Sequence, residues 1–298
     1  MSNKDCPKYL PKTSQVILIT GTSSGFGLLT AVRLVWLGHI VYATMRDTSK
    51  QQLLLEEAAK RGAARIQVRE LDVTKPSTIK KVVDEIKEKH NHIDVLVNNA
   101  GFGLGGFFED LTQEEIRHQM EVNFFGVQNV CREVIPLMRE RRQGQIINIS
   151  SIAGQSGTPA LGAYNASKWA LEGFSESLYH ELALFGVQVV LVEPGSYPTN
   201  IFSGNARYSE GFDNSQSPYF QMSQKLRAFV KKEMAKNKKD PKDIACLIER
   251  IINTKNPKLR YVSDFSSWLR IIVGKILPPS IYNYIFRKVI YGDSKHTL

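Results

Sequence analysis

Short apolar runs rich in β-branched residues alternate along this chain with segments of helical periodicity, and this alternation strongly constrains the fold. The apolar runs lie at residues 16–20, 40–44, 66–71, 95–98, 145–150, 187–192 and 260–263. The segments of helical periodicity include residues 28–37, 77–90, 112–139 and 164–184. Strands that are apolar along their whole length are covered on both faces, which is typical of a parallel sheet between helices. With right-handed crossovers, the sequence predicts an α/β fold with a doubly wound parallel sheet.

The N-terminal segment is polar, and no run of about 18 uninterrupted apolar residues occurs, so neither a secretory signal nor a membrane-spanning helix is expected. Cys6, Cys131 and Cys246 are odd in number and lack metal-ligand spacing. This pattern predicts free thiols in a reducing compartment and no metal site. We therefore expect a cytoplasmic protein.

The charge is concentrated at one end of the chain. Residues 222–298 contain 17 Lys+Arg and 6 Asp+Glu, whereas the whole chain contains 39 and 29. The last quarter therefore accounts for the entire net charge of +10.

A glycine-rich turn joins the first predicted strand to the first predicted helix. It consists of Thr20, Gly21, Thr22, Ser23, Ser24, Gly25, Phe26 and Gly27. Glycines here let the backbone approach a pyrophosphate closely, and the helix N-terminus supplies free N–H groups and a positive dipole. The spacing Gly-x3-Gly-x-Gly differs from the usual dinucleotide fingerprint, but the strand–turn–helix context predicts a dinucleotide site.

The second predicted strand ends at Met45, Arg46 and Asp47. An acidic residue at this tip binds a ribose 2′-hydroxyl, whereas an arginine nearby suits a 2′-phosphate. We interpret Arg46, with Ser24 in reach, as a clamp for that phosphate, which favours NADP(H) over NAD(H). The alternative is that Arg46 is an ordinary charged surface residue.

Ser151, Tyr164 and Lys168 form the pattern Ser-x12-Tyr-x3-Lys. Tyr164 and Lys168 are four residues apart and therefore share one face of a helix. An ammonium beside a phenol favours the phenolate, so we expect the pKa of Tyr164 to lie below its usual value of about 10. Ser151, just after an apolar strand, could hydrogen-bond the oxygen that gains or loses the proton.

With these motifs in this order, residues 14–263 resemble the short-chain dehydrogenase/reductase family, which has a Rossmann-type fold. Further matching positions are Asp72, Val73, Asn98, Asn99, Ala100, Gly101, Asn123, Ser150, Gly154, Pro194, Gly195 and Thr199. The resemblance implies a catalytic set of Asn123, Ser151, Tyr164 and Lys168. It also implies cofactor binding by Gly21, Ser23, Ser24, Gly25, Phe26, Gly27, Arg46, Asp72, Val73, Asn99, Ala100, Gly101, Tyr164, Lys168, Pro194, Gly195 and Thr199.

Several roles follow from the resemblance alone. Asp72 is expected to bind the adenine, Asn99 to frame the cofactor, and Thr199 to contact the nicotinamide carboxamide. Asn123 resembles the family residue that kinks its helix and holds a water in a proton relay. Ser150 is expected to support the strand end. The implied reaction is the interconversion of an alcohol and its ketone or aldehyde with NADP(H).

Residues 1–298 are expected to form a single domain, with a core at 14–263, a substrate loop or lid at 196–238 and a C-terminal extension at 264–298. The motifs at residues 42–47 and 170–173, and the helix start at Asp240 and Pro241, resemble the subgroup of 17β-hydroxysteroid dehydrogenase type 1 and retinol dehydrogenases. This likeness implies a lipophilic steroid-, retinoid- or lipid-like substrate.

Two other functions remain open. One is a 3-oxoacyl thioester reductase whose basic C-terminal quarter docks an acidic acyl carrier; the extension argues against it. The other is a non-catalytic, NADP(H)-sensing or nucleic-acid-binding relative, which the basic clusters near residues 231–239 suggest. The intact Asn, Ser, Tyr and Lys set argues against a sensor, and no nucleic-acid partner is expected.

The C-terminal extension interleaves apolar and basic residues, and Pro278-Pro279 divides it into two predicted helices. Basic amphipathic segments with aromatic residues can lie in a membrane interface. Alternatively, the apolar faces pack over the substrate cleft or between subunits. The family resemblance also implies a homo-oligomer, a dimer or tetramer built on the helix that holds Tyr164.

Overall fold

The computed structural model describes residues 13–62, 66–198 and 207–291. Seven parallel strands form one sheet in the order β3-β2-β1-β4-β6-β7-β9. These strands are β1 (Val16–Thr20), β2 (Ile40–Met45), β3 (Gln67–Glu70), β4 (Val95–Asn98), β6 (Gly144–Ile149), β7 (Val187–Glu193) and β9 (Arg260–Val262). A separate parallel pair consists of β5 (Leu104–Gly105) and β8 (Arg207–Tyr208). The predicted doubly wound sheet is confirmed.

Helices connect the strands and cover both faces of the sheet. They are α1 (Gly25–Trp36), α2 (Gln52–Lys60), α3 (Pro76–His90), α4 (Gln113–Met120), α5 (Gly126–Arg141), α6 (Gly162–Ala183), α7 (Phe220–Lys236), α8 (Lys242–Ile252), α9 (Phe265–Ile276) and α10 (Pro279–Tyr291). A π-helical turn, Glu121–Phe125, separates α4 from α5. None of the helices among the described residues is long and apolar enough to cross a membrane.

The central strands lack polar alternation because both of their faces are buried. Ile17 and Ile19 point toward a core that α1 and α8 cover, whereas Leu18 points toward the core on the other side of the sheet. All three side chains are completely inaccessible to solvent. This packing explains why the apolar runs located the seven strands of the sheet to within about two residues.

Three features differ from the sequence expectations. The helix α2 was not predicted, and the single helix expected over residues 112–139 is divided by the π-helical turn. The expected loop after Gly195 contains β8 and a short 3₁₀ helix, Glu210–Asp213. The helix start near Asp240 is confirmed, because its carboxylate accepts a hydrogen bond from the Lys242 N–H at 2.9 Å.

A buried ion pair joins the two helices that cover one face of the sheet. The Arg33 guanidinium on α1 contacts the Glu249 carboxylate on α8, and both side chains are almost completely buried. Arg33 also lies over the Trp36 ring, with 6.0 Å between its guanidinium carbon and the ring centroid. Since charges withdrawn from water are costly without a partner, α1 and α8 depend on each other.

We expect Glu249→Leu to lower the free energy of unfolding by about 3–5 kcal/mol, because a buried guanidinium loses its carboxylate. The double variant Arg33→Met/Glu249→Leu should recover much of that loss. Urea unfolding of the two variants measures both effects. Equal destabilisation by the single and double variants would contradict this account of the ion pair.

Candidate active site

The carboxyl ends of β1 and β4 are tied together at the point where the strand order reverses. The Thr20 hydroxyl accepts hydrogen bonds from the N–H groups of Asn99 and Ala100, each at 3.0 Å. In return, the Asn99 amide donates to the carbonyls of Thr20 at 3.0 Å and Gly21 at 2.8 Å. In doubly wound sheets, ligands bind in the crevice at this reversal point.

The glycine-rich turn has no room for side chains at two of its positions. Gly21 has φ +71°, and a Cβ there would lie 2.7 Å from the Ala100 Cα. A Cβ on Gly27 would lie 2.3 Å from the Asn99 side-chain nitrogen and 2.4 Å from the Gly21 carbonyl oxygen. The turn therefore forms a bare-backbone cradle at the N-terminus of α1, which suits the pyrophosphate of a dinucleotide.

A cleft enclosing about 460 Å³, including space open to solvent, opens at this end of the sheet. Eight of its lining residues were predicted site residues: Phe26, Asn99, Gly101, Ser151, Tyr164, Lys168, Pro194 and Gly195. Ile149, Ser150 and Tyr197 also line it. Of these three, Tyr197 was missed altogether, although its aromatic ring packs edge-on against Phe26 with 5.6 Å between centroids.

Among the described residues, the other predicted cofactor positions lie outside the lining of this cleft. Ser23, Ser24 and Gly25 are half-buried in the glycine-rich turn. Arg46 is exposed at the tip of β2. Thr199 lies outside the described residues.

Asp72 and Val73 follow β3 and are both buried. The Asp72 carboxylate accepts hydrogen bonds from the Thr74 N–H at 3.0 Å and its hydroxyl at 2.8 Å. Because β2 pairs in parallel with β3, with Met45 opposite Glu70, Arg46 and Asp72 lie at the same edge of the sheet.

Tyr164 and Lys168 extend from α6 into the cleft and are both buried. The Lys168 ammonium donates to the Ile149 carbonyl at 2.8 Å and lies 5.9 Å from the centroid of the Tyr164 ring. Burial lowers the pKa of Lys168 to about 8, while the Glu172 carboxylate acts in the opposite direction.

The expected lowering of the Tyr164 pKa is wrong for this structure. Burial raises the pKa of Tyr164 to about 12, and a hydrogen bond with Ser151 opposes this rise only in part. The Lys168 ammonium is turned toward the Ile149 carbonyl, and removing the phenolate from water costs more than the nearby charge returns. Tyr164 is therefore protonated at neutral pH.

Ser151 and Ser150 are adjacent but have different environments. The Ser151 hydroxyl accepts a hydrogen bond from the Ala153 N–H at 3.1 Å and lies within reach of Tyr164. Ser150 donates its backbone N–H to the Val192 carbonyl at 2.8 Å, which ties β6 to β7 as expected of a strand-end residue. Its buried hydroxyl has no hydrogen-bond partner among the residues that the structure describes.

Asn123 lies in the π-helical turn, so the interruption of the helix that the resemblance implied is present. Its side chain accepts from the Phe102 N–H at 3.1 Å and donates to the Phe102 carbonyl at 3.0 Å. It also donates to the Ser167 hydroxyl at 3.2 Å, and Ser167 in turn donates to the Tyr164 carbonyl at 2.7 Å. Asn123 thus links the loop after β4 to the helix that holds Tyr164.

A buried acidic pair beneath Lys168 was not predicted. Glu172, one helical turn after Lys168, and Glu193, at the end of β7, both face Arg260 on β9, at 3.0 and 3.5 Å from its Nε. Gln155 donates to Glu193 at 3.0 Å. Burial and the negative charge of Glu172 raise the pKa of Glu193 to about 7. The four-residue spacing from Lys168 could have indicated Glu172, but Glu193 becomes apparent only once the strands are paired.

The C-terminal extension reaches the rim of the cleft. Ser267 on α9 lies so close to Gly195 that a Cβ there would meet the serine hydroxyl. Tyr282 on α10 shares a hydrogen bond with Ser156 at 3.2 Å, and Arg270 donates to Thr158 at 3.5 Å. One side of the extension therefore packs beside the cleft through these contacts.

Comparison with known proteins agrees with this geometry. A family model for short chain dehydrogenases matches residues 15–208. The chain belongs to the short-chain dehydrogenase/reductase family. It is therefore an oxidoreductase that acts on a hydroxyl or carbonyl group with a nicotinamide nucleotide. No group of three or more His, Cys, Asp or Glu side chains that could hold a metal ion occurs among the described residues.

Similar proteins of this family come from bacteria and animals. The chain is 41% identical to a 3-ketodihydrosphingosine reductase of Bacteroides thetaiotaomicron, over 92% of this chain and 97% of that protein. It is 36% identical to human retinol dehydrogenase 8, over 83% of this chain and 80% of that protein. The expected likeness to the retinol and hydroxysteroid dehydrogenase subgroup is confirmed.

Solved structures show the same fold. A short-chain dehydrogenase from Streptomyces avermitilis is 33% identical, with a TM-score of 0.77 over 93% of this chain and 97% of that one. Among other similar structures, a metagenomic short-chain oxidoreductase is in complex with NADP and a Burkholderia phymatum enzyme with NAD. Both forms of the nucleotide therefore occur among similar proteins.

The acidic pair makes a testable contribution to stability. A carboxyl group whose pKa is raised in the folded state stabilises the protein below its ordinary pKa, and this stabilisation is lost as pH rises through the folded value. With an ordinary pKa of 4.5 and a folded value of about 7, Glu193 should destabilise the protein progressively between those pH values. Glu193→Gln should therefore gain stability relative to the parent over that range.

Thermal unfolding of both proteins across this pH range measures the difference. Glu176→Gln is the matched control, because Arg260 lowers the pKa of Glu176 by a hydrogen bond and by its charge. This control should lose relative stability as pH rises through the ordinary Glu range. A pH-independent difference for Glu193→Gln would show that the buried pair does not titrate as described.

Proposed function

We propose that this protein catalyses the NADP(H)-dependent interconversion of a lipophilic ketone or aldehyde and its alcohol. The observation that carries the proposal is the buried cleft in which Ser151 and Tyr164 meet, with Lys168 behind the phenol ring. A bare-backbone cradle for a dinucleotide opens into the same end of the sheet. Together these features supply a proton donor, an oxyanion site and a place for the cofactor.

In carbonyl reduction, negative charge develops on the carbonyl oxygen, and the bound nicotinamide nucleotide supplies the hydride. Ser151 and Tyr164 donate hydrogen bonds to that oxygen, and stabilisation of this kind is usually the largest contribution to catalysis. Tyr164 then supplies the proton as general acid. Since burial keeps Tyr164 protonated, its phenol can donate the proton that reduction of a carbonyl requires.

After Tyr164 has given up its proton, the Lys168 ammonium stabilises the negative charge of the phenolate. This ammonium is protonated below about pH 8 and lies against the phenol ring. Glu172, one turn further along α6, favours the charged ammonium. Asn123 fixes the loop after β4 against α6, so this loop keeps a constant position relative to Tyr164.

The residues expected around the adenosine ribose favour NADP(H) over NAD(H). Arg46 is exposed at the tip of β2, the position that meets the adenosine ribose, and its guanidinium suits a 2′-phosphate. Ser23 and Ser24 are half-buried in the adjoining turn and would serve as further donors to that phosphate or to the pyrophosphate. Asp72 would bind the adenine, and Lys168 the nicotinamide ribose.

A lipophilic substrate is supported by the apolar cluster between the extension and the loops of the cleft. Its buried members are Phe107, Ala160, Phe212 and Leu226, and Tyr219, Met222, Val230 and Phe286 pack against them. The substrates named for the similar proteins, a ketosphingoid base and retinol, are also lipophilic. Residues 196–238 would act as the substrate lid, since Phe212 and Leu226 belong to this cluster.

We propose that the protein forms a homo-oligomer whose interface includes α6, the helix that holds Tyr164. Trp169 on α6 and Phe125 in the π-helical turn are large apolar side chains with about half of their surface exposed. Such residues are candidates for an interface between subunits.

The activity is tested by following NADPH and NADH consumption with 3-ketodihydrosphingosine, retinal, a 17-ketosteroid and an acetoacetyl thioester. We expect turnover of at least one of the three lipophilic carbonyls, with NADPH preferred. Turnover of the thioester alone would favour the 3-oxoacyl reductase instead. Nucleotide binding without turnover of any carbonyl would favour a sensor.

Tyr164→Phe should bind NADPH nearly as the parent does but lose turnover by about 10²–10⁴-fold, because the proton donor is gone. Steady-state kinetics and fluorescence titration with NADPH measure the two effects. Tyr179→Phe is the matched control, since Tyr179 is a half-buried tyrosine on the same helix. Retained turnover in Tyr164→Phe would overturn the assignment.

A further inference from the structure

Helix α9 presents its most apolar side to solvent. Phe265, Trp268, Leu269, Val273 and Ile276 all lie on one side of the helix, and Phe265 and Ile276 are 73% and 75% exposed. Their spacing of three or four residues forms a continuous stripe along the helix. A surface helix of a globular protein normally turns such a stripe toward the core.

The inward side of α9 is the less apolar one. It consists of Ser267, Arg270, Ile271 and Gly274, of which Ser267 and Ile271 are buried. Ser267 donates to Asp264 at 2.7 Å, and Arg270 contacts both Thr158 and the Phe286 ring. The contacts with the rest of the protein are therefore partly polar, while the apolar stripe faces away from it.

Helix α10 repeats this arrangement. Ile281, Tyr284, Ile285 and Val289 are exposed, whereas Tyr282 and Phe286 point inward. The two inward rings stack with 5.9 Å between their centroids, and Phe286 packs against the apolar cluster beside the cleft. We call the exposed apolar residues of α9 and α10 the outer stripe. It consists of Phe265, Trp268, Leu269, Val273, Ile276, Ile281, Tyr284, Ile285 and Val289.

The charged residues on α9 and α10 themselves are all basic. Residues 265–291 contain four basic residues, Arg270, Lys275, Arg287 and Lys288, and no acidic residue. Lys275, Arg287 and Lys288 are exposed. Two copies of such a surface would repel each other, whereas an anionic surface would be attracted to it.

We propose that the outer stripe docks this protein onto the interface of an anionic lipid bilayer. Helices that combine an apolar stripe, aromatic residues and flanking Lys or Arg lie in the plane of the membrane interface. Trp268 and Tyr284 are the residue types enriched at that level. The helices are 12 and 13 residues long, too short to span a bilayer, so the protein lies on the membrane.

The docking surface and the cleft share the same two helices. Tyr282 contacts Ser156 and Arg270 contacts Thr158, so the inward side of the extension borders the cleft while the outer stripe faces the lipid. A lipophilic substrate could then enter from the bilayer without crossing water. This last consequence rests on the proposed function, whereas the docking itself does not.

Co-sedimentation with vesicles tests the docking without any measurement of turnover. We expect the full-length protein to bind phosphatidylglycerol-containing vesicles, and to bind them less at high salt or when the vesicles are purely phosphatidylcholine. The double variant Ile276→Gln/Ile285→Gln should bind at least tenfold more weakly. Leu53→Gln/Leu55→Gln is the matched control, because it removes two exposed leucines from α2 and should bind as the parent does.

Fluorescence locates the contact directly. The chain has three tryptophans, so a Trp36→Phe/Trp169→Phe variant reports on Trp268 alone. Its emission should shift to shorter wavelength when anionic vesicles are added. Absence of vesicle binding, equal loss in the control variant, or an unshifted Trp268 emission would overturn the proposal. So would a change of oligomeric state in Ile276→Gln/Ile285→Gln with vesicle binding unchanged, which would assign the stripe to a second copy.

Discussion

The organisation of this protein follows from the burial of both faces of the central strands of its parallel sheet. Polar side chains can then reach a ligand only where strands end. At that edge Thr20 and Asn99 exchange hydrogen bonds between β1 and β4, and the same bonds hold the glycine-rich turn in place. The turn and the loop after β4 are therefore fixed to each other, and they form one side of the cleft that Tyr164 and Lys168 enter from α6.

Charged residues that do not line the cleft also influence the electrostatics of the site. Lys168 lies above Glu172, which shares Arg260 with Glu193 at the end of β7. Two buried carboxyl groups facing one guanidinium favour a state in which one carboxyl is protonated. The Glu172 carboxylate favours the charged form of the Lys168 ammonium, whereas burial keeps the Tyr164 phenol protonated.

Much of the fold and of the site could be predicted from the sequence, because the information was local. Apolar runs identified the strands of the sheet, and the spacing of Ser151, Tyr164 and Lys168 placed three side chains in one cleft. The rest depended on packing. The pKa of Tyr164 is set by depth of burial, which four-residue spacing does not reveal. Glu193 meets Arg260 only through the pairing of β7 with β9, and Tyr197 reaches the cleft only by packing against Phe26. The direction in which the apolar stripe of the extension faces depends likewise on what packs beneath it.

We infer that the strand ends form a dinucleotide cleft whose shape requires a bare backbone at Gly27. The most direct measurement is the affinity for NADPH of folded Gly27→Ala compared with Gly173→Ala, where a Cβ would meet nothing within 4 Å. We expect Gly27→Ala to bind NADPH at least tenfold more weakly, because the new methyl group displaces Asn99, whereas Gly173→Ala should bind as the parent does. Unchanged NADPH affinity in a folded Gly27→Ala variant would show that the nucleotide does not depend on this bare backbone.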